Sequence, residues 1–474
     1  MLPNIQDDLK TNGVLFQNWS KTFSSHCAGV YRPRTEEEVR KILVEANAKR
    51  KHIRVVGAGH SPSDLVCTSG YLLSLDNLNS VISLDQEKQT VTVQGGIRLN
   101  RLQSVLEKLG YSLPIVGSVT DISVAGTCAT ATHGSSLQHC IMSHYIESLH
   151  LMLADGSVVT CSRAQQPNVF AAAQVSLGAL GVVISMTLKI VPMFFLEATE
   201  TVVPLSTVFS QWSSNQFWEQ GDFVRLQVFP FTNKGLVWSA KKIEPSKHLI
   251  KNYTFGKPKG LIHWFDKIMY QCMLLFGRIF KRALPLIERI WFYMHYGFRD
   301  GQVSFSRGPG IQQMQMYCWF SQYVNEWSIP ISKAPEALER LVRWIQGDVE
   351  HAEIPFDARG VTAHWPIEVR VAAPTPLNEC WLSTAPETTC YLEVIVYRPF
   401  GLSMPYERLW QAFEYLMNQY GGKPHWAKRH SLPPEELKAR YPKLRQWLQL
   451  RSMLDPNNVF WNEYMQRSFG TNEE

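Results

Sequence analysis

No stretch of this 474-residue chain pairs cysteines as Cys-x-x-Cys or groups them with histidines at metal-ligand spacing, and the nine cysteines are odd in number. A zinc finger, a dithiol redox motif and a fully paired disulfide framework are thereby disfavoured. Reduced, mostly buried thiols facing a reducing compartment are expected, and no metal. No uninterrupted apolar run reaches the ~20 residues that a spanning helix needs. The stretch Met1 to Lys10 is polar and acidic, so neither a secretory signal nor an Arg-rich transit peptide is expected there, and any membrane attachment is expected from inside the chain. Charge of one sign is also scarce. A formal net charge of +6 with both signs interspersed argues only weakly for an anionic surface nearby and against nucleic acid as a partner.

What is present is apolar material, 45% of residues with 12% aromatics, on a length beyond what one core normally holds, so two domains are expected. The most informative stretch is Val55-Val56-Gly57-Ala58-Gly59-His60-Ser61-Pro62-Ser63-Asp64. Ile53 to Val56 reads as a short buried strand, after which Gly57 and Gly59 let the backbone turn with its amides exposed. Successive free amides make a nest for an anion, most often a phosphate. His60 places an imidazole nucleophile at its mouth and Ser61 a hydroxyl donor beside it. A plain strand-to-loop turn with a solvated histidine is the other reading. The stretch is not the usual dinucleotide fingerprint, because no third glycine opens a helix and Pro62 follows.

Along the chain, Thr35-Glu36-Glu37-Glu38 is a capping box that opens a helix with Val39, Ile42, Leu43 and Ala46 on its apolar face. Leu72 to Leu75, Val81 to Leu84 and Thr90 to Val93 read as short strands, and Arg98 to Leu109 as an amphipathic helix stopped by Gly110, together an α/β unit with a mixed sheet. A second stretch, Gly117 to Gly134, is dense in glycine, alanine and small hydroxyl residues, as a backbone needs if it is to lie against a flat ligand; a tightly packed small-residue helix is the alternative. Ile146 to Leu153 and Val158 to Cys161 flank the hairpin signature Ala154-Asp155-Gly156-Ser157, and Val182 to Val191 is a β-rich run ended by Pro192.

Further on, Phe223 to Phe229, Gln313 to Trp319, Ile367 to Val371 and Tyr391 to Tyr397 alternate like strands with one covered face, and Ala334 to Trp344 and Tyr406 to Tyr420 read as covering helices. Leu261 to Phe298 mixes aromatics, among them Trp264, Phe265, Phe276, Phe280, Trp291 and Phe292, with Lys267, Arg278, Lys281, Arg282 and Arg289. Amphipathic helices at a membrane interface and two ordinary core helices both fit that pattern. Glu368 and Arg370 stand two apart on a strand and leave the same face. Such a pair is either a surface ion pair or, among apolar neighbours, a group that awaits a ligand. Lys428 and His430 follow the helix stop Gly421-Gly422 as loop residues.

Gly57-Ala58-Gly59-His60-Ser61, the run from Ser123-Val124-Ala125-Gly126 to Thr132-His133-Gly134, and Leu180-Gly181-Val182 resemble the FAD-binding PCMH-type domain of the vanillyl-alcohol oxidase flavoprotein family, and within it the sugar-lactone oxidases. The similarity runs from Phe16-Gln17-Asn18-Trp19 to Leu454-Asp455-Pro456-Asn457-Asn458-Val459-Phe460. It implies an α+β fold: an FAD-binding domain over 12–192, a substrate domain of antiparallel sheet flanked by helices over 193–420, and a segment 421–474 that returns to the flavin domain and completes the active site. It implies FAD bound by Val56, Gly57, Ala58, Gly59, His60, Ser61, Gly117, Ser118, Ser123, Gly126, Thr127, Thr130, Thr132, His133, Gly181 and Val182, and linked covalently through His60.

The implied reaction is oxidation of an aldono-1,4-lactone (D-arabinono-, L-gulono- or L-galactono-lactone) by dioxygen, which gives ascorbate or erythroascorbate plus hydrogen peroxide. Glu368 is expected on the substrate hydroxyls, Arg370 on negative charge at the reduced flavin, and Lys428 at the reacting hydroxyl as proton acceptor or polariser, or the last two with their roles exchanged, with His430 and Ser118 in the same pocket. Gly117 is expected to leave dioxygen a path to the flavin, unless it merely supplies a turn of positive φ. The rivals are a lactone dehydrogenase that passes electrons to a cytochrome and a flavin-free scaffold. An intracellular, membrane-associated enzyme is expected, at the mitochondrial outer membrane or the endoplasmic reticulum, with no required protein partner.

Overall fold

Three larger sheets and one short strand pair are formed by the described residues, which in this computed structural model are 10–213, 216–244, 261–316 and 320–470. The first sheet joins β1 (Lys10–Gln17), β2 (Ser24–Tyr31), β3 (Ile53–Val56) and β4 (Tyr71–Ser74) in the order β1-β2-β4-β3, with β4 parallel to β2 and β3 and β1 antiparallel to β2. The helix Glu36–Ala48 makes the crossover, opened by the reciprocal Thr35/Glu38 capping box, and its Val39, Ile42 and Leu43 bury against Ile53 and Leu73. The second sheet, β5 (Val81–Asp85), β6 (Thr90–Gln94), β8 (Ile146–Met152), β9 (Val158–Ser162) and β10 (Val182–Lys189), is antiparallel in the order β5-β6-β10-β8-β9. Two-residue strands β7 (Tyr111–Ser112) and β11 (Val191–Pro192) pair beside it.

The third sheet has eight strands among the described residues: β12 (Phe195–Pro204), β13 (Phe223–Phe229), β14 (Lys234–Ile243), β15 (Gly301–Pro309), β16 (Gln322–Pro330), β17 (Ile367–Ala372), β18 (Thr389–Tyr397) and β19 (Lys423–Pro424). Their order is β15-β12-β14-β13-β17-β18-β16-β19, and every pairing is antiparallel. Side chains alternate between its faces. Val369, Leu392 and Val394 share a core with Leu338, Leu341 and Phe413 of the helices Ala334–Gln346 and Glu407–Gln419. Ile395 and Tyr397 leave the other face, toward the helices Leu261–Ile279 and Leu284–Tyr296.

The chain end docks back on its beginning. Ile53 donates to the Val459 carbonyl at 2.7 Å, Asn462 Nδ2 to the carbonyls of Leu65 and Cys67 at 3.0 and 2.9 Å, and Arg467 forks onto Asp64 at 2.6 and 2.7 Å.

The strand expected over Gln313 to Trp319 is a helix at its start, Gly310–Met314, with residues 317–319 outside the described ones, as are 1–9. Ile311 and Met314, three apart, are the buried pair, and helical spacing wins over an alternation that lacked β-branched residues. The strand forms later, at Gln322–Pro330, where Tyr323 and Val324 supply the β-formers. In the small-residue stretch only Val124–Ala129 is helical; the rest is turn and loop. No helix among the described residues is long and apolar enough to cross a membrane.

Candidate active site

A cavity of about 300 Å³ lies between the first two sheets and the eight-stranded one, with β3 and the Gly57–Ser61 turn on one side and β16, β17 and β18 on the other. Glycine is required twice in the turn. Gly59 holds φ +63°, and a Cβ on Gly57 would stand 2.8 Å from the Ser123 Cβ and closer still to its hydroxyl. The amides of Ala58, Gly59, His60 and Ser61 donate to no carbonyl or side chain among the described residues. This cradle of free N–H groups fits the diphosphate of a dinucleotide. The His60 imidazole faces the cavity and stacks on Trp19 with 5.0 Å between ring centroids. Burial lowers its pKa and so favours the neutral ring with a free lone pair.

The small-residue stretch lines the same cavity through Gly117, Ser118, Ser123, Gly126, Thr127, Thr130, Thr132 and His133, and the loop before β10 through Gly181. Thr127 and Thr130 donate their hydroxyl hydrogens to Val124 and Gly126 of their own helix, at 2.7 and 3.1 Å, so only lone pairs remain for a ligand. Val182 does not reach the cavity. It is fully buried beside Met152 and Ile184, because alternation along β10 turns it to the core.

Across the cavity, Glu368 on β17, Glu393 on β18 and Glu326 on β16 are direct cross-strand partners, a row of three carboxylates on one face. Arg370, two residues from Glu368, donates to Glu393, to Glu326 at 3.0 Å and to the Ser118 hydroxyl at 3.2 Å, and stands 3.6 Å from Glu368. Lys428 reaches Glu393 at 3.3 Å and Glu326 at 3.5 Å. Burial works against the charges of Glu326, Arg370 and Lys428, and their partners outweigh it. Arg370 and Lys428 hold Glu326 well below the usual carboxylate range, while the glutamates hold Lys428 and Arg370 above theirs. Glu368 differs: burial raises its carboxyl, and its contact with Arg370, at 3.6 Å, is beyond hydrogen-bond distance.

His430, expected in this pocket, lies outside it. It is buried against Tyr464, both ring nitrogens lack a hydrogen-bond partner, and burial depresses it to about 4. The histidine that lines the cavity from the same loop is His425, whose Nδ1 accepts from the Ala427 amide at 3.1 Å and whose burial brings it to about 3, a neutral ring at working pH. His133, Glu326 and His425 stand close enough together to suggest a cation site, but Glu326 already faces Arg370 and Lys428, two cations that repel a third.

Sequence reasoning missed Glu326 and Glu393. A signal for Glu393 was there, a lone carboxylate in the apolar run Tyr391-Leu392-Glu393-Val394-Ile395-Val396, but Glu326 was lost with the misplaced strand.

A sequence profile of the D-arabinono-1,4-lactone oxidase family matches residues 186–468, and one of the FAD-binding domain matches residues 27–162. The chain is 32% identical to an L-gulonolactone oxidase of Scyliorhinus torazame over 98% of its own length and 100% of the relative's. It is 31% identical to a D-arabinono-1,4-lactone oxidase of Yarrowia lipolytica, with 94% and 95% covered. A solved cholesterol oxidase of Brevibacterium sterolicum superposes with a TM-score of 0.77 at 15% identity over 99% of each chain, a likeness of fold. With the free-amide cradle and the charged carboxylate row facing one cavity, these matches place the chain in the D-arabinono-1,4-lactone oxidase family, as an FAD-linked oxidoreductase.

Proposed function

We propose that this chain oxidises the hydroxyl-bearing carbon next to the carbonyl of an aldono-1,4-lactone, D-arabinono-, L-gulono- or L-galactono-lactone, with dioxygen as electron acceptor and hydrogen peroxide as second product. The supporting observation is the row Glu368, Glu393 and Glu326 with Arg370 and Lys428, which opens on the cavity that also holds the free-amide turn. Bound FAD would supply the hydride acceptor and the route by which electrons reach dioxygen. The chain's own groups do the rest. The amides of residues 58–61 take the diphosphate, and His60 carries the isoalloxazine covalently. A lactone brings several hydroxyl donors, which the carboxylate row accepts, and a carbonyl, which the two cations polarise. Glu368, with a raised carboxyl and no hydrogen bond of its own, takes the proton of the reacting hydroxyl. Lys428, held as an ammonium by two glutamates, acts as polariser and not as proton acceptor.

A second element of the reading is a membrane surface as partner, supported by the exposed aromatic and basic residues of 264–298.

The deciding assay gives purified protein each of the three lactones and measures peroxide released against lactone consumed. One mole per mole is expected; flavin reduction without peroxide, reversed only by an electron-accepting protein, supports the dehydrogenase instead. For the link, acid-denatured protein should keep yellow fluorescence on the polypeptide and lose it in His60→Ala.

A further inference from the structure

The end of β1 and the turn between β1 and β2 grip the residues on either side of His60. The Trp19 amide donates to the Gly59 carbonyl at 2.8 Å, the Asn18 carboxamide donates to the Ser61 carbonyl at 3.0 Å, and the Phe16 ring lies 3.4 Å from where a Cβ on Gly59 would stand. The imidazole itself is held as well: the Trp19 indole lies nearly parallel to it, at 17° and 5.0 Å between centroids. The turn is in turn anchored. Asn18 Oδ1 accepts from the amides of Thr22 and Phe23 at 2.9 and 3.1 Å, and Arg398, just past β18, donates to the carbonyls of Ser20 and Lys21 at 2.9 and 2.7 Å.

Core packing does not account for the indole. Trp19 is 37% exposed, and no other aromatic ring than His60 stacks on it among the described residues. What its position does account for is orientation. A neutral imidazole at a cavity rim rotates about two side-chain torsions, and a parallel ring beside it narrows those rotations to one plane. For a bond-forming nitrogen, such restriction lowers the barrier, because rotational freedom is already given up before the bond forms.

We infer that Trp19 is the positioning residue for attachment of the flavin to His60, which rests on the covalent link proposed above. In that step one C–H bond of a flavin ring methyl and the imidazole N–H are replaced by one C–N bond. The two electrons and two protons left over reduce dioxygen, the oxidant of the main reaction, to hydrogen peroxide. Trp19 exchanges neither electrons nor protons; it sets the plane in which the nitrogen meets the methyl carbon.

The experiment compares the purified wild-type chain, Trp19→Phe and Trp19→Ala for total flavin per polypeptide, acid-stable flavin per polypeptide and melting temperature. Trp19→Ala should keep total flavin within about 2-fold of wild type, lose acid-stable flavin by at least ~5-fold, and attach added FAD in air on the order of 10-fold more slowly. Trp19→Phe, which keeps a flat ring, should attach at close to the wild-type rate. Unchanged acid-stable flavin in Trp19→Ala overturns the role. Parallel loss of total flavin, acid-stable flavin and melting temperature in both variants also overturns it, by assigning Trp19 to packing. Absence of acid-stable flavin from the wild type removes the link itself, and the role of Trp19 with it.

Discussion

At the scale of single residues, neighbours decide what a group can do. A lysine buried alone sheds its proton, yet Lys428 stands between Glu393 and Glu326 and keeps it. The carboxylate in the row that accepts no hydrogen bond among the described residues is Glu368, proposed above as the proton acceptor, and its raised pKa has a sign that can be read kinetically. The proton acceptor works only when ionised, so flavin reduction should rise with pH up to a pKa above the ordinary carboxylate range and fall tenfold per unit below it. Glu368→Gln should flatten that limb and lower the rate on the order of 100-fold, whereas Lys428→Met should lower the rate similarly, by ~3 kcal/mol, but keep the limb. A limb that survives Glu368→Gln and vanishes in Lys428→Met reverses the two roles. Gly117 is also legible at this scale. It has no positive φ, so a strained turn does not explain it; a Cβ there would stand 2.8 Å from Thr132 Cγ2 on the cavity wall. Under stopped flow, Gly117→Ala should leave reduction by lactone nearly unchanged and slow reoxidation by dioxygen at least ~10-fold, about 1.4 kcal/mol. Equal slowing of both half-reactions removes Gly117 from the dioxygen path.

At the scale of elements, the sequence was most readable where a pattern is local. The capping box, the β3 turn and the Glu368/Arg370 pair all lie within a few residues and all appear in place. The carboxylate row was hidden because its members are cross-strand neighbours, 25 or more residues apart, and only register brings them together. The helix Leu284–Tyr296 shows the same limit. Its pattern fits a core helix and an interfacial one, and the structure shows one buried and one exposed apolar face: Leu284, Ile287, Trp291 and Phe292 turn inward, while Leu286, Ile290 and Met294 are exposed. Glu288 anchors the inner face by accepting from the amides of Phe231 and Thr232 at 2.7 and 3.1 Å, and burial raises its carboxyl to about 8. A carboxyl raised on folding contributes stability that is fully present below its unfolded pKa and is lost as pH rises through the folded value. Between about pH 5 and 9 the wild type should therefore lose on the order of a few kcal/mol that Glu288→Gln, which can still accept both amides, does not lose. The stability advantage of wild type over the variant should shrink or reverse as pH rises from about 5 to 9; a difference that stays constant over that range rules the anchor out as a titrating group.

At the scale of the whole molecule, apolar exposure is concentrated on one region. Trp264, Phe265, Phe276, Ile279, Phe280, Leu286, Ile290, Met294 and Phe298 are all exposed, next to the exposed Lys281, Arg282 and Arg289. Large apolar side chains grouped in this way mark an interaction face, and the partner proposed above for it is a membrane surface; no helix among the described residues is long and apolar enough to span a bilayer. The two contributions differ in size. Moving one such aromatic out of water is worth roughly 1.5–3 kcal/mol and each basic side chain near anionic lipid about 1 kcal/mol, so burial of the rings dominates. High salt should accordingly release little protein from sedimented membranes, and detergent should release nearly all. Serine at Trp264, Phe265, Ile279 and Phe280 together should leave the protein in the supernatant with lactone oxidation intact, since none of the four lines the cavity. Trp291 and Phe292 give the contrasting control. Both are buried, so either one changed to alanine should lower stability by ~3–5 kcal/mol without selectively releasing the protein. Wild-type protein that remains in the supernatant with anionic vesicles and without detergent, or a fourfold serine variant that sediments as well as wild type, assigns this face to something other than a membrane.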